Sequence, residues 1–94
     1  MTKADVVKKV SEDTGIEKVT AEKAVEAFME TVKESLAKGD NVYLRRFGSF
    51  IVKKRASKVA RNISKNTTVI VPEHFIPSFK PADTFVEQVK ENVK

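Results

Sequence analysis

Residues 53–65 read Lys53-Lys54-Arg55-Ala56-Ser57-Lys58-Val59-Ala60-Arg61-Asn62-Ile63-Ser64-Lys65. Six of them are basic (Lys53, Lys54, Arg55, Lys58, Arg61 and Lys65) and none is acidic. A run of positive charge is by itself only a solvated face, so its flanks decide its meaning. Phe50, Ile51 and Val52 precede it, and Thr67, Thr68, Val69, Ile70 and Val71 follow it, all residues that favour strands. Asn62, Ser64 and Asn66 supply turn residues between them. The pattern predicts a hairpin that runs out, turns around residues 62–66 and returns. A solvated loop would leave those flanking strands without a reason. With this much charge and so little apolar face, the hairpin cannot be core and must project toward solvent or a negatively charged partner.

The chain has 94 residues, which predicts a single domain over 1–94. With the hairpin projecting, roughly 70 residues remain to build a core, and a domain that small is marginal on its own. It has no cysteine to staple it and no Cys/His set to hold a structural metal. Association with a second copy is the expected remedy. The N-terminal residues carry charge from Lys3 onward and show no apolar signal region, and no apolar run approaches a bilayer span. The expectation is a cytoplasmic chain with no membrane partner. Charge is segregated along it: residues 1–40 carry −2, residues 41–81 carry +8 and residues 82–94 carry −1. The whole excess lies in residues 41–81, the footprint of a polyanion binder.

The surrounding elements read as a scaffold. Thr2 with Asp5 forms a capping box for a helix over about 3–14, with Val6, Val7 and Val10 as its stripe and Gly15 as its C-terminal cap. Thr20 is the expected N-cap of a second helix that Gly39 closes. Its stripe is Ala21, Ala24, Val25, Phe28, Met29, Val32 and Leu36. Its outer face is mostly acidic, so it is a packing element and not a reading head. Residues 41–44, 48–52 and 75–79 read as strands, with Phe50 and Val52 on one face and Pro77 tolerable only at an edge or bulge. Lys80-Pro81 should end the last strand, and a third helix from about Ala82 should turn Phe85, Val86, Val89 and Val93 inward.

Enzymatic readings fail for lack of parts. There is a single histidine, and the three glycines, Gly15, Gly39 and Gly48, form no phosphate-cradling loop. Ser49 and Ser57 have no placed base, and the carboxylates cluster on helix exteriors. No active site, metal site, cofactor or small-molecule substrate is expected. His74 reads as a surface residue at the base of the hairpin rather than as a ligand or catalyst.

The Phe47-Gly48-Ser49-Phe50 box, the Arg61-Asn62 pair, the return strand ending in Pro72 and Pro77-Ser78-Phe79-Lys80-Pro81, in this order of elements, resemble the HU/IHF family of bacterial histone-like DNA-bending proteins. The likeness covers essentially the whole chain. It implies an α+β fold: an IHF-like intertwined dimer with a helical base (1–40 and 82–94), a three-stranded sheet (41–52 and 75–81) and a protruding β-ribbon arm (53–74). It further implies minor-groove binding to double-stranded DNA, with little sequence specificity, a preference for nicked, kinked or bent duplexes, and a place in the nucleoid. The implied DNA contacts are Lys53, Lys54, Arg55, Lys58, Arg61, Asn62, Ile63 and Lys65 on the arm, with Arg46, Lys80 and Lys3 on the body. The implied dimer core is Phe47, Phe50 and Phe79, joined by Phe28 and Val32. The homodimer is the leading form. The variants are a heterodimer with a paralogue acting as a site-selective bender, an RNA binder and a protein-interaction scaffold.

Four positions depart from the family pattern. Ile63 stands where relatives commonly carry a proline wedge, Asn66 and Arg46 where they carry glycine, and Asp83 where many carry lysine. Isoleucine is apolar and of a size to enter a base step, though it lacks proline's fixed φ. Its other reading is a turn residue tucked against its own arm. Arg45 and Arg46 likewise keep two readings, as phosphate contacts or as partners of helix acids.

Overall fold

The computed structural model describes residues 1–62 and 67–93, so the expected turn, with Ile63 and Lys65, lies outside the described residues. Two compact units emerge, Met1–Ser35 and Leu36–Lys94.

In the first unit, α1 spans Lys3–Thr14. The Thr2 hydroxyl accepts from the Asp5 amide, and the Asp5 carboxylate accepts from the Thr2 amide at 2.9 Å, so two amides that the first turn leaves without helical partners satisfy each other's residues. Those bonds from Thr2 hold the Asp5 carboxyl below its ordinary value. At the other end Gly15 adopts φ 77° and its amide returns to the Ser11 carbonyl, as a left-handed cap requires. The second helix, α2, spans Lys18–Ala37 and starts earlier than the sequence suggested. The Glu17 carbonyl accepts from the Ala21 amide at 2.9 Å, which puts Glu17 at the N-cap and Thr20 inside the first turn. The Glu17 carboxylate thereby stands at the positive end of the helix dipole.

Val7, Ala21 and Val32 are the buried apolar residues among those described. Each valine contributes about 1.5–3 kcal/mol by its burial, against about 1–2 kcal/mol per residue for ordering backbone. That is a thin core for two helices. Much of the α2 stripe remains uncovered: Phe28 is 46% exposed, and Ala24 and Met29 are exposed as well. The stripe is wider than one copy of the chain covers.

In the second unit, β1 (Val42–Leu44), β2 (Gly48–Arg55) and β5 (His74–Pro81) form an antiparallel sheet in the order β1-β2-β5. The central strand β2 and the edge strand β5 both outrun the sequence reading. Lys53, Lys54 and Arg55 extend β2 and pair with Ile76, Phe75 and His74. Lys80 and Pro81 do not break β5, because Pro81 pairs with Gly48 on an edge strand, where a missing amide costs no ladder bond. The strand ends when the Ala82 amide bonds the Phe47 carbonyl at 3.0 Å. Pro77 falls on the same edge, as expected. The Asn41 side chain caps the other flank, accepting from the Val52 amide at 2.9 Å beyond the reach of the short β1.

Beyond Ala56-Ser57 the chain continues as β3 (Lys58–Asn62), paired antiparallel with β4 (Thr67–Val71), from Lys58↔Val71 to Asn62↔Thr67. The expected hairpin is therefore a two-stranded ribbon, set off from the sheet by breaks at Ala56-Ser57 and Pro72-Glu73. Finally α3 spans Asp83–Asn92. Phe85 and Val86 are half-buried, whereas Val89 and Val93 are exposed, contrary to the inward stripe read from the sequence. Val93 lies past the last helical residue, and Val89 borders an open apolar groove with Phe79, Pro81 and Phe85.

Gly48 locks this unit together. A Cβ there would lie 2.6 Å from the Lys80 carbonyl oxygen and 2.6 Å from the Phe79 ring, closer than real contacts allow. Gly48→Ala should therefore destabilise the fold by about 1–3 kcal/mol, the usual cost of overpacking. Urea denaturation would measure this, and an unchanged midpoint would show that β2 and β5 separate freely at this point.

Candidate nucleic-acid interface

Alternation along paired strands assigns the sheet two chemically distinct faces. One carries Phe50 and Val52 of β2 opposite Phe79 and Pro77 of β5. Phe47 and Phe85 join Phe50 and Phe79 in a cluster, with centroids 5.1 Å apart for Phe47–Phe79, 4.9 Å for Phe50–Phe79 and 5.6 Å for the stacked Phe47–Phe85 pair. Such pairs add about 0.5–1.5 kcal/mol each beyond burial. Yet Phe47 remains 44% and Phe79 37% exposed, so the cluster is built but not covered.

The opposite face carries Ser49, Ile51, Lys53 and Arg55 of β2, facing Lys80, Ser78, Ile76 and His74 of β5, with Tyr43 of β1 across from Ser49. Of the cations singled out from the sequence, the structure thus gathers Lys53, Arg55 and Lys80 on one surface. Lys54 falls on the aromatic side by the same alternation, and its ammonium bonds the Glu73 carboxylate at 3.3 Å. Tyr43, Ser49, Ser78 and His74 were not singled out as contacts. Counting residues by twos from Lys53 would have found Ser49, but the β5 members depend on a register that no local pattern reveals.

At the end of the sheet, Arg45, Arg46 and Lys80 line an open pocket with Tyr43, Ser49 and Asp83, three cations to one acid. Arg46 lies in the three-residue loop that joins β1 to β2, where the Phe47 amide bonds the Leu44 carbonyl at 3.1 Å. Its φ of 69° is the single positive value among the described non-glycine residues. The loop needs a left-handed residue at this point to bring β2 back beside β1. Ala82, which precedes α3, gives that helix no side-chain cap.

On the ribbon, Lys58 is exposed and pairs with Val71. Arg61 and Asn62 pair with Thr68 and Thr67 in the backbone register. Val59 and Ile70 lie opposite each other and are 69% and 73% exposed. The sequence reading overlooked this apolar pair, since strand residues in a cationic run look solvated. Lys3 belongs to the first unit, where its ammonium bonds the Glu26 carboxylate at 2.8 Å, linking α1 to α2. That hydrogen bond raises its pKa. Among the described residues, no group of histidines and carboxylates could hold a metal ion.

The family model for bacterial DNA-binding proteins matches residues 1–90. DNA-binding protein HU of Geobacillus stearothermophilus is 37% identical over 90 residues, 96% of this chain and all of the relative. Integration host factor subunit beta of Marinobacter nauticus is 36% identical over 95 residues, covering all of this chain and 97% of the relative. Among solved structures, the cocrystal of Anabaena HU with DNA superimposes with a TM-score of 0.91 at 32% identity, covering 95% of this chain and 97% of that one.

A left-handed arginine is strained by about 1–2 kcal/mol relative to glycine. Arg46→Gly should accordingly raise the thermal unfolding midpoint in calorimetry. A lower midpoint would mean that the arginine side chain stabilises the loop by more than its backbone costs.

Proposed function

The chain belongs to the bacterial DNA-binding protein family, the group of HU and integration host factor, and from that membership we propose an architectural DNA-binding protein that acts as a dimer. The observation that carries this reading is the segregation of charge on β2. Lys53 and Arg55 face one way with Lys80, while the same strand turns Phe50 the other way, into a cluster where Phe47 and Phe79 stay exposed, and leads on into the ribbon. A second copy would cover the aromatic side, with Phe47, Phe50 and Phe79 in its core and Phe28 and Val32 of the helical unit contributing. The cationic side would then meet phosphates.

Lysines and arginines displace condensed counterions from DNA, which gives affinity that falls with salt and depends little on sequence. A two-stranded ribbon fits the minor groove, whose degenerate pattern separates A·T from G·C and little else. Lys58, Arg61, Asn62 and Lys65 would line that contact, with Val59 and Ile70 lying against the groove walls. Ile63 would enter a base step at a cost of about a few kcal/mol, offset by contacts to the bent duplex. Nicked or prebent DNA has part of this deformation already done. Arg46, Lys80 and Lys3 are the proposed contacts on the body. Lys3 must exchange Glu26 for phosphate, and Lys54 must likewise leave Glu73. The homodimer is the form proposed, and we assign it no catalytic reaction. Its place in the nucleoid follows from DNA binding, and no described helix is long and apolar enough to cross a membrane.

Gel shifts with intact and nicked duplexes at two salt concentrations test the reading. Nicked DNA should bind more tightly, and Arg55→Ala should weaken binding to every sequence and flatten the salt slope by about 1 per lost contact. Tighter binding of single-stranded RNA than of nicked DNA would defeat the minor-groove account. Ile63→Ala should leave affinity for linear DNA nearly intact while reducing ring closure of short duplexes. Equal ring closure by both proteins would remove Ile63 from the wedge role.

A further inference from the structure

His74 is the one histidine of the chain, and the strand register places it on the cationic face. It lies directly across from Arg55, at the last register position of the sheet before the ribbon begins. Lys53, two residues from Arg55, shares the face. Glu73, the chain neighbour of His74, is held by Lys54 at 3.3 Å. The His74 side chain itself is exposed.

One ring nitrogen is already committed. Nδ1 lies 2.9 Å from the Pro72 carbonyl oxygen. A carbonyl only accepts, so Nδ1 carries the hydrogen when this bond is made, and the bond favours the neutral tautomer whose Nε2 is a bare acceptor. A phosphate oxygen is an acceptor too, and the two repel. When Nε2 takes up a proton, the ring becomes a cation with an N–H free to donate, beside Arg55 and Lys53, while Nδ1 keeps its bond to Pro72. With Nδ1 held by the backbone, the ring has two states toward phosphate: a neutral one with no hydrogen to donate from Nε2 and a cationic one that donates. Histidine is the side chain that crosses between such states from pH 5 to 8.

We propose that His74 is a proton-dependent phosphate contact at the base of the ribbon, next to Arg55, so that each subunit takes up a proton as DNA engages there. The inference rests on the DNA-binding reading above. By linkage, DNA affinity rises as pH falls through the imidazole range, and bound DNA in turn favours the protonated ring. The ligand is a backbone phosphate, so the effect is independent of sequence.

The test is the dissociation constant for one nicked duplex between pH 8 and pH 5.5 at constant ionic strength, for wild type, His74→Gln and His74→Lys. Wild type should tighten by about tenfold or more, the scale of one hydrogen bond to a charged group. Its salt slope should steepen by about 1 per subunit at the lower pH. His74→Gln should show neither change, and His74→Lys should bind at pH 8 as wild type does at pH 5.5. The lone histidine also gives an unambiguous proton resonance, whose titration midpoint should move up when duplex is added. If wild type binds DNA and His74→Gln follows the same pH course, or the midpoint does not move, the proposal is overturned and the DNA-binding reading stands. If wild type binds no duplex at any pH in low salt, the underlying reading itself fails.

Discussion

The fit of β2 against β5 at Gly48 governs everything else in the second unit. With no side chain there, the β5 backbone and the Phe79 ring come within a distance that any Cβ would occupy. This closeness fixes the pair Gly48↔Pro81, and from it every later pair follows by count up to Arg55↔His74. A slip of one residue would turn Lys53 and Arg55 to the aromatic side and Phe50 and Val52 to the outside. Charge on one face and phenylalanine on the other are thus two readings of a single register.

The same strand continues past both faces. β2 ends at Arg55, and two residues later β3 carries the chain onward as half of a separate two-stranded sheet. A two-stranded ribbon buries little and is marginal alone. Here its two strands follow directly from β2 and lead directly into β5 of the three-stranded sheet at its root. Lys54 and Glu73 clasp the strands at that root with an exposed ion pair, a weak interaction that phosphate competition could replace.

Local rules made part of this architecture legible. The Thr2–Asp5 box, the Gly15 cap, the Phe50–Val52 face and the edge position of Pro77 all follow from residues within a few positions of each other, and each is present. What escaped depends on partners distant in sequence. The start of α2 was misplaced because Thr20 is a good cap in isolation, yet the helix had already begun behind Glu17. β5 was cut short at Lys80-Pro81 because a proline looks like a stop until its edge position is known. The cationic run looked uniform, although the register separates Lys54 from Lys53 and Arg55 and adds Lys80 and His74 from a strand about 25 residues away. Val89 and Val93 were expected inside because a stripe shows which face is apolar, not whether anything in one chain covers it.

That last point links assembly to binding. Phe47 and Phe79 keep over a third of their surface in water although they belong to a cluster of four rings. Single exposed apolar residues are ordinary, but a half-covered aromatic cluster beside an apolar groove marks an interaction surface. Because the cluster and the cationic face lie back to back on β2, whatever closes over the phenylalanines also fixes the direction in which Lys53 and Arg55 point. A partner that repeats the chain would supply a second cationic face and a second ribbon in a fixed relation to the first, and two linked contacts on one duplex gain by effective concentration what neither has alone. Burial of carbon on one side of a strand would in this way set the spacing of charge on the other.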